Sequence, residues 1–139
     1  MDLAKKVVEK MINGDSFSQW LGIEVLEIST GFCKLKMTVR KEMTNGFNIA
    51  HGGIAYSIAD SCLAFAANAD GIQSVSIETS ISHTKKVMNG DSLIAQAKEI
   101  NKGGKTALYY IKITNQNNIA IAHFKGTVFR TEKEWFPKK

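Results

Sequence analysis

The chain has 139 residues, 44% of them apolar, two cysteines and a formal net charge of +5. That is the size of one domain, able to bury a core without disulfides or a structural metal. The positive excess is mild and dispersed, partly gathered in the tail as Arg130, Lys133, Lys138 and Lys139, and no aromatic-and-basic motif accompanies it, so a nucleic-acid partner is excluded.

Residues Leu3–Ile12 read as a short helix with Leu3, Val7 and Met11 on one face, stopped by Asn13-Gly14. The ten residues MDLAKKVVEK hold no apolar segment of signal-peptide length, and no later stretch approaches the ~18 apolar residues of a membrane span. The chain is therefore expected to be soluble and cytoplasmic, with no membrane partner. Ser16 is placed to cap a second short turn carrying Phe17 and Trp20.

Ile23–Ser29 and Phe32–Val39 form a hairpin pattern about Thr30-Gly31. In the second strand Cys33, Leu35, Met37 and Val39 alternate with Lys34, Lys36 and Thr38. A polar loop, 40–50, containing Asn45-Gly46 leads into His51–Asp70, which is apolar nearly all round and so reads as a buried helix, ended by Gly71. Three strands follow at Gln73–His83, Ser92–Asn101 and Lys105–Thr114, then a turn at Asn115–Asn118 and a last strand at Ile119–Arg130. One central helix between antiparallel strands must be wrapped by the sheet, because nothing else is present to cover it. The predicted class is α+β, with five or six antiparallel strands. Cys33 and Cys62 sit in apolar contexts and read as small buried hydrophobes rather than a disulfide.

Four polar residues interrupt the apolar helix: Ser57, Asp60, Ser61 and Asn68. At roughly 100° per residue they fall in one stripe about 100° wide, which must face water, a cavity or another subunit. Asp60 stands out, because a carboxylate among Ile58, Ala59, Cys62 and Leu63 is costly unless paired. His51-Gly52-Gly53 opens the same helix. A helix start offers unpaired N–H groups and a partial positive charge, and glycines let a substrate approach that backbone closely. Such a site can hold a carbonyl oxygen and the oxyanion that grows on it during acyl transfer. Gly52 and Asp60 lie roughly 12 Å apart along one helix, too far to touch the same carbonyl. A shared site requires Asp60 from a second subunit, hence a two-fold homodimer or a dimer of dimers.

These residues resemble the hotdog-fold acyl-CoA thioesterases, specifically the branch related to the phenylacetate-pathway thioesterase PaaI. The resemblance is carried by Asn45-Gly-Phe-Asn-Ile-Ala-His51-Gly52-Gly53, by Ile58-Ala59-Asp60 and by Val75-Ser76-Ile77-Glu78. It continues through Val87–Asp91, Gly104-Lys105-Thr106 and Gly126–Arg130, so that it covers about 21–130 of the chain. It implies that Asp60 acts as general base or nucleophile and that the Gly52 N–H holds the thioester oxygen. Asn45 would position water or carbonyl, His51 would fix the loop, and Ser76 would lie near the attacking water in the same subunit as Asp60. Coenzyme A would enter only as part of the substrate, along the dimer groove. Gly53, Lys85, Lys86, Gly90, Lys102, Gly104, Lys105 and Thr106 are its implied contacts. An Asp at position 60, where another branch carries Glu, favours the PaaI-like branch. One departure is Asn48, where the family carries Gly; Asn is the residue that best tolerates a left-handed backbone.

No cofactor or metal is expected, since His51, His83 and His123 lie on different elements without ligand-like spacing. Two rival functions remain: a hotdog dehydratase or hydratase using His51 with Asp60, and a non-catalytic acyl-CoA binding domain. A nucleophilic Cys62 is disfavoured, lying about 200° round the helix from Asp60. Phe47, Tyr56 and Phe65 are candidates to line an acyl pocket.

Overall fold

The computed structural model describes residues 1–138; the tail charge of Lys139 lies outside them. Two short helices, α1 (Leu3–Asn13) and α2 (Ser16–Leu21), precede a hairpin of β1 (Glu24–Ser29) and β2 (Phe32–Thr38). A single 3-10 turn at Lys41–Met43 and a loop lead to α3 (Gly52–Asn68). Then come β3 (Ile72–His83), β4 (Ser92–Lys102), β5 (Thr106–Thr114) and β6 (Ala120–Glu134). All neighbouring strands are antiparallel, and the six stand in the order β1-β2-β4-β5-β6-β3. Among the described residues no helix is long and apolar enough to cross a membrane.

Capping explains the start of the chain. Asp2 accepts from the Lys5 N–H to begin α1, and Gly14 closes it. The cap of α2 is Asp15, not Ser16: its carboxylate accepts from both the backbone N–H and the hydroxyl of Ser18. A carboxylate outcompetes a hydroxyl there because it accepts two bonds at once and carries charge at the positive helix end. The buried face of α1 is Ala4, Val7 and Val8, whereas Leu3 is exposed at the face's margin. Phe17 and Trp20 stack on each other at the surface, with Arg40 over the Trp20 ring.

Helix α3 lies across the sheet and α1 and α2 lean on it from the other side, which explains its apolar composition all round. Cys33, Leu35 and Met37 of β2 point at it as their alternation requires, joined by Leu93, Ala95 and Ala97 of β4 and by Tyr109, Ile111 and Ile113 of β5. Small residues let helix and sheet approach so closely that the Cys62 thiol donates to the Cys33 carbonyl at 3.3 Å. The closest approach is at Gly126 in β6, where a Cβ would stand 2.5 Å from a methyl carbon of Leu63. Replacing Gly126 by Val is expected to destabilise the protein by about 1–3 kcal/mol through overpacking, read as a lower midpoint in urea unfolding.

The far end of the chain extends past the expected boundary. Strand β6 runs to Glu134, and beyond it Trp135 donates from its backbone to the Gly71 carbonyl and from its indole to Asn68. Beside this, Asp70 pairs with Arg130 and Lys102, each at 2.8 Å. Burial alone would raise the Asp70 pKa, but Lys102, the Ile72 N–H and Arg130 together outweigh it and hold the carboxylate below its ordinary range.

Candidate active site

The loop before α3 is tied at several points. Thr44 bridges Ala50, Ile49 bridges Met88, and Asn48 has φ 60°, the left-handed backbone expected at that departure from the family pattern. The Asn45 side-chain oxygen accepts from the N–H groups of Phe47 and Ile49 at 2.9 and 3.2 Å. That oxygen is therefore committed to the loop, and only the Asn45 amide NH2 is left to face a ligand. Phe47 is held out at the tip, 82% exposed.

His51 is the N-cap of α3. Its own N–H donates to the Met43 carbonyl, and its carbonyl accepts from Ile54. The N–H groups of Gly52 and Gly53 reach no acceptor among the described residues, so two orphan donors point outward from the helix start. Gly52 borders a cleft of about 290 Å³ together with His51, His83, Lys85 and Lys86. The ring of His83 covers Gly52, with its Nε2 3.2 Å from where a Cβ would be. Any larger residue at position 52 would displace that ring.

Asp60 lies further along α3, half-buried, in a separate cleft of about 250 Å³ with Leu63, Ala64, Val75, Ser76 and Val128. Burial raises its pKa above the ordinary carboxylate range, and Asp15 at the cap of α2 adds to the rise. Among the described residues no cation or hydrogen-bond donor offsets these effects. Asp60 is thus a carboxylate kept basic by its surroundings, as a proton acceptor requires. Ser76 shares its cleft, on the same chain.

The four-residue stripe divides into two. Ser61 is buried, with its hydroxyl 2.8 Å from that of Ser18, because α2 covers this side of the helix. Asn68 is buried as well: it donates to the Ala64 and Ser74 carbonyls and accepts from the Ser74 N–H and the Trp135 indole. Both are structural. Ser57 and Asp60 keep partial exposure, with Ser57 bonded back to the Gly53 carbonyl.

The implied coenzyme A contacts separate as well. Lys85 and Lys86 stand at the mouth by Gly52, whereas Lys102 pairs with Asp70 beyond the opposite end of a helix about 25 Å long. Gly104 and Lys105 are on the turn that follows Lys102, Thr106 opens β5, and the Lys105 carbonyl accepts from the Arg130 N–H. Gly90, at φ 91°, closes the turn between β3 and β4. Within one chain these groups do not converge on one phosphate. Of the aromatic candidates, Phe65 is core, and Tyr56 is half-buried with its hydroxyl 2.7 Å from that of Thr79. Burial, followed by the neighbouring Cys33, pushes the Cys62 thiol well up, leaving an inert core cysteine.

Strand β3 supplies the last feature. It pairs only with β6, and from Val75 to Glu78 every residue is exposed, with Val75 at 57% and Ile77 at 58%. An apolar edge strand of this kind is a template for pairing with another chain.

This fold, a six-stranded antiparallel sheet wrapped on one helix that opens at His-Gly-Gly, is the hotdog fold. The thioesterase superfamily model matches residues 47–122, and the chain belongs to that family, on its PaaI-like branch. The acyl-coenzyme A thioesterase PaaI of Escherichia coli (strain K12) is 34% identical over 120 residues, covering 86% of each chain. A relative from Archaeoglobus fulgidus, provisionally named an esterase, is 38% identical over 135 residues, covering 97% of this chain and 88% of its own. The solved structure of the E. coli PaaI protein, from the phenylacetic acid degradation operon, superimposes with a TM-score of 0.92 at 32% identity, covering 94% of this chain and 95% of that one.

Proposed function

We propose that this protein is an acyl-CoA thioesterase that works as a homodimer, with each site built from the helix start of one subunit and Asp60 of the other. The observation that carries this reading is the pair of unspent N–H groups at Gly52 and Gly53, set on the same helix as an unpaired, basic carboxylate that cannot reach them. The thioester carbonyl accepts from Gly52, so that attack places the growing negative charge on a preorganised donor at a positive helix end. Asp60 of the partner subunit takes a proton from water, which adds to the carbonyl carbon. Ser76 helps to hold that water. The C–S bond then breaks and the leaving sulfur takes up the proton held by Asp60, releasing the free acid and coenzyme A. The chemistry calls on no bound cofactor, and Lys85 and Lys86 offer positive charge to the nucleotide portion.

The edge β3 strand supplies the dimer contact, with Val75 and Ile77 covered by the second copy. Ile77→Lys is expected to turn a dimer into a monomer in sedimentation velocity and to abolish turnover with Asp60 and Gly52 both intact. The activity itself is tested by following free thiol from short, medium and aryl acyl-CoAs. Release from at least one of them is expected; acyl-CoA binding with no release from any would refute hydrolysis.

A further inference from the structure

The ring over Gly52 faces the same space as the Gly52 N–H. In a helix the Cα–Cβ direction tilts toward the N-terminus, and the backbone N–H groups point that way too. His83 Nε2 lies 3.2 Å from the Cβ position of Gly52, and that position is about 2.5 Å from the Gly52 nitrogen by standard geometry. The two nitrogens are therefore no more than about 5.7 Å apart. One oxygen can accept from both at ordinary N–H···O lengths of about 2.9 Å.

His83 is also well fixed and chemically free. It is the last residue of β3, paired in register with Ala122, and just after it the Thr84 and Lys85 N–H groups both donate to the Ile121 carbonyl. The backbone from which its exposed ring projects is thus set by a strand rather than a loose loop. Neither ring nitrogen has a hydrogen-bond partner among the described residues, and the side chain is exposed. The ring borders the same cleft as His51 and Gly52.

We propose that His83 Nε2–H is a second donor to the thioester oxygen, completing with the Gly52 N–H the oxyanion site of this enzyme. The inference rests on the thioesterase reading above. The imidazole N–H donates and keeps its proton; its bond to the oxygen shortens as negative charge grows there, so it acts on the transition state more than on the bound substrate.

The test compares wild type, His83→Gln and His83→Phe on the acyl-CoA that wild type turns over fastest, with circular dichroism to establish folding. The Phe ring keeps the cover over Gly52 but has no donor; the Gln amide can place a nitrogen near the Nε2 position. His83→Phe is expected to lower kcat by about 10²-fold or more with KM changed only a few-fold, and His83→Gln to recover most of that loss. Unchanged kcat in His83→Phe would make the ring mere packing and overturn the proposal. Equal losses in both variants would replace donation by proton transfer, and a rise in KM alone would assign His83 to the phosphates; either overturns it. Should the Phe variant unfold, His83→Ala provides the donor-free comparison. Absence of thiol release by wild type is a separate result, striking at the thioesterase reading rather than at His83 alone.

Discussion

Asp60→Asn is expected to leave a folded, dimeric protein whose release of free thiol from acyl-CoA falls by about 10²–10⁴-fold. The amide keeps the size of the side chain and removes its basicity. The same substitution is expected to raise the melting temperature. The Asp60 carboxyl has its pKa raised by burial and by Asp15, so the folded state binds its proton more tightly than the unfolded chain does. Stability from this group is present below the ordinary carboxylate range and is lost as pH rises through the raised value, leaving an ionised Asp60 unfavourable at neutral pH. Asn removes that penalty. In wild type, kcat/KM should fall on the acid side as pH drops through the same raised pKa, a limb lying above the ~4 of a free carboxylate. A pH–rate profile, with thermal melts of both proteins at pH 7, checks all three expectations. A variant with wild-type turnover would remove Asp60 from the mechanism.

Asn68→Ala should be among the most destabilising single changes, at about 2–4 kcal/mol in urea unfolding. Asn68 makes four hydrogen bonds, to the Ala64 carbonyl, to both backbone groups of Ser74 and to the Trp135 indole. It joins the end of α3 to the start of β3 and to the segment after β6. Truncation leaves the Ser74 N–H buried and the indole N–H half-buried without their shared acceptor, and a buried orphan costs about 1–3 kcal/mol. Leu fits no better, because its bulk meets the same unpaired groups. Activity should survive at low temperature, since Asn68 touches neither cleft. Loss of turnover without loss of stability would return Asn68 to the site.

The two residues show where sequence reading succeeds and where it stops. Alternation in β2 and the unbroken apolar run of α3 gave the layers, because burial imposes those periods directly. Asp60 was visible as a charge among apolar neighbours, and His51-Gly52-Gly53 as a helix start without side chains in the way. Ser61 and Asn68 shared the helical angle of Asp60, but angle does not say what covers a face. Only the docking of α2 through Ser18, and the late arrival of Trp135, distinguishes a packed hydroxyl and a buried amide from an open carboxylate. Asp15 and Ser16 are adjacent residues that both cap helices well, so the choice between them turns on the local geometry at Ser18, whereas the influence of Asp15 on Asp60 depends on where α2 lies. His83 was hidden because it meets Gly52 thirty-one positions earlier in the chain, and no local spacing signals that approach.

The strand order has a consequence for synthesis. The β3 strand, at 72–83, finds its only neighbour in β6, which begins at Ala120, and α3 is complete before any of the strands β3 to β6 has been made. A growing chain can therefore cover α3 with β2, β4 and β5 while β3 remains an edge with nothing to align against until β6 emerges. Long-range pairing of this kind is slow to form and open to aggregation meanwhile. It also imposes an order: the dimer proposed above has no finished edge to form on until β6 is in place. Chains cut short before Ala120 should be recovered as aggregates rather than as partner-poisoning halves of a mixed dimer.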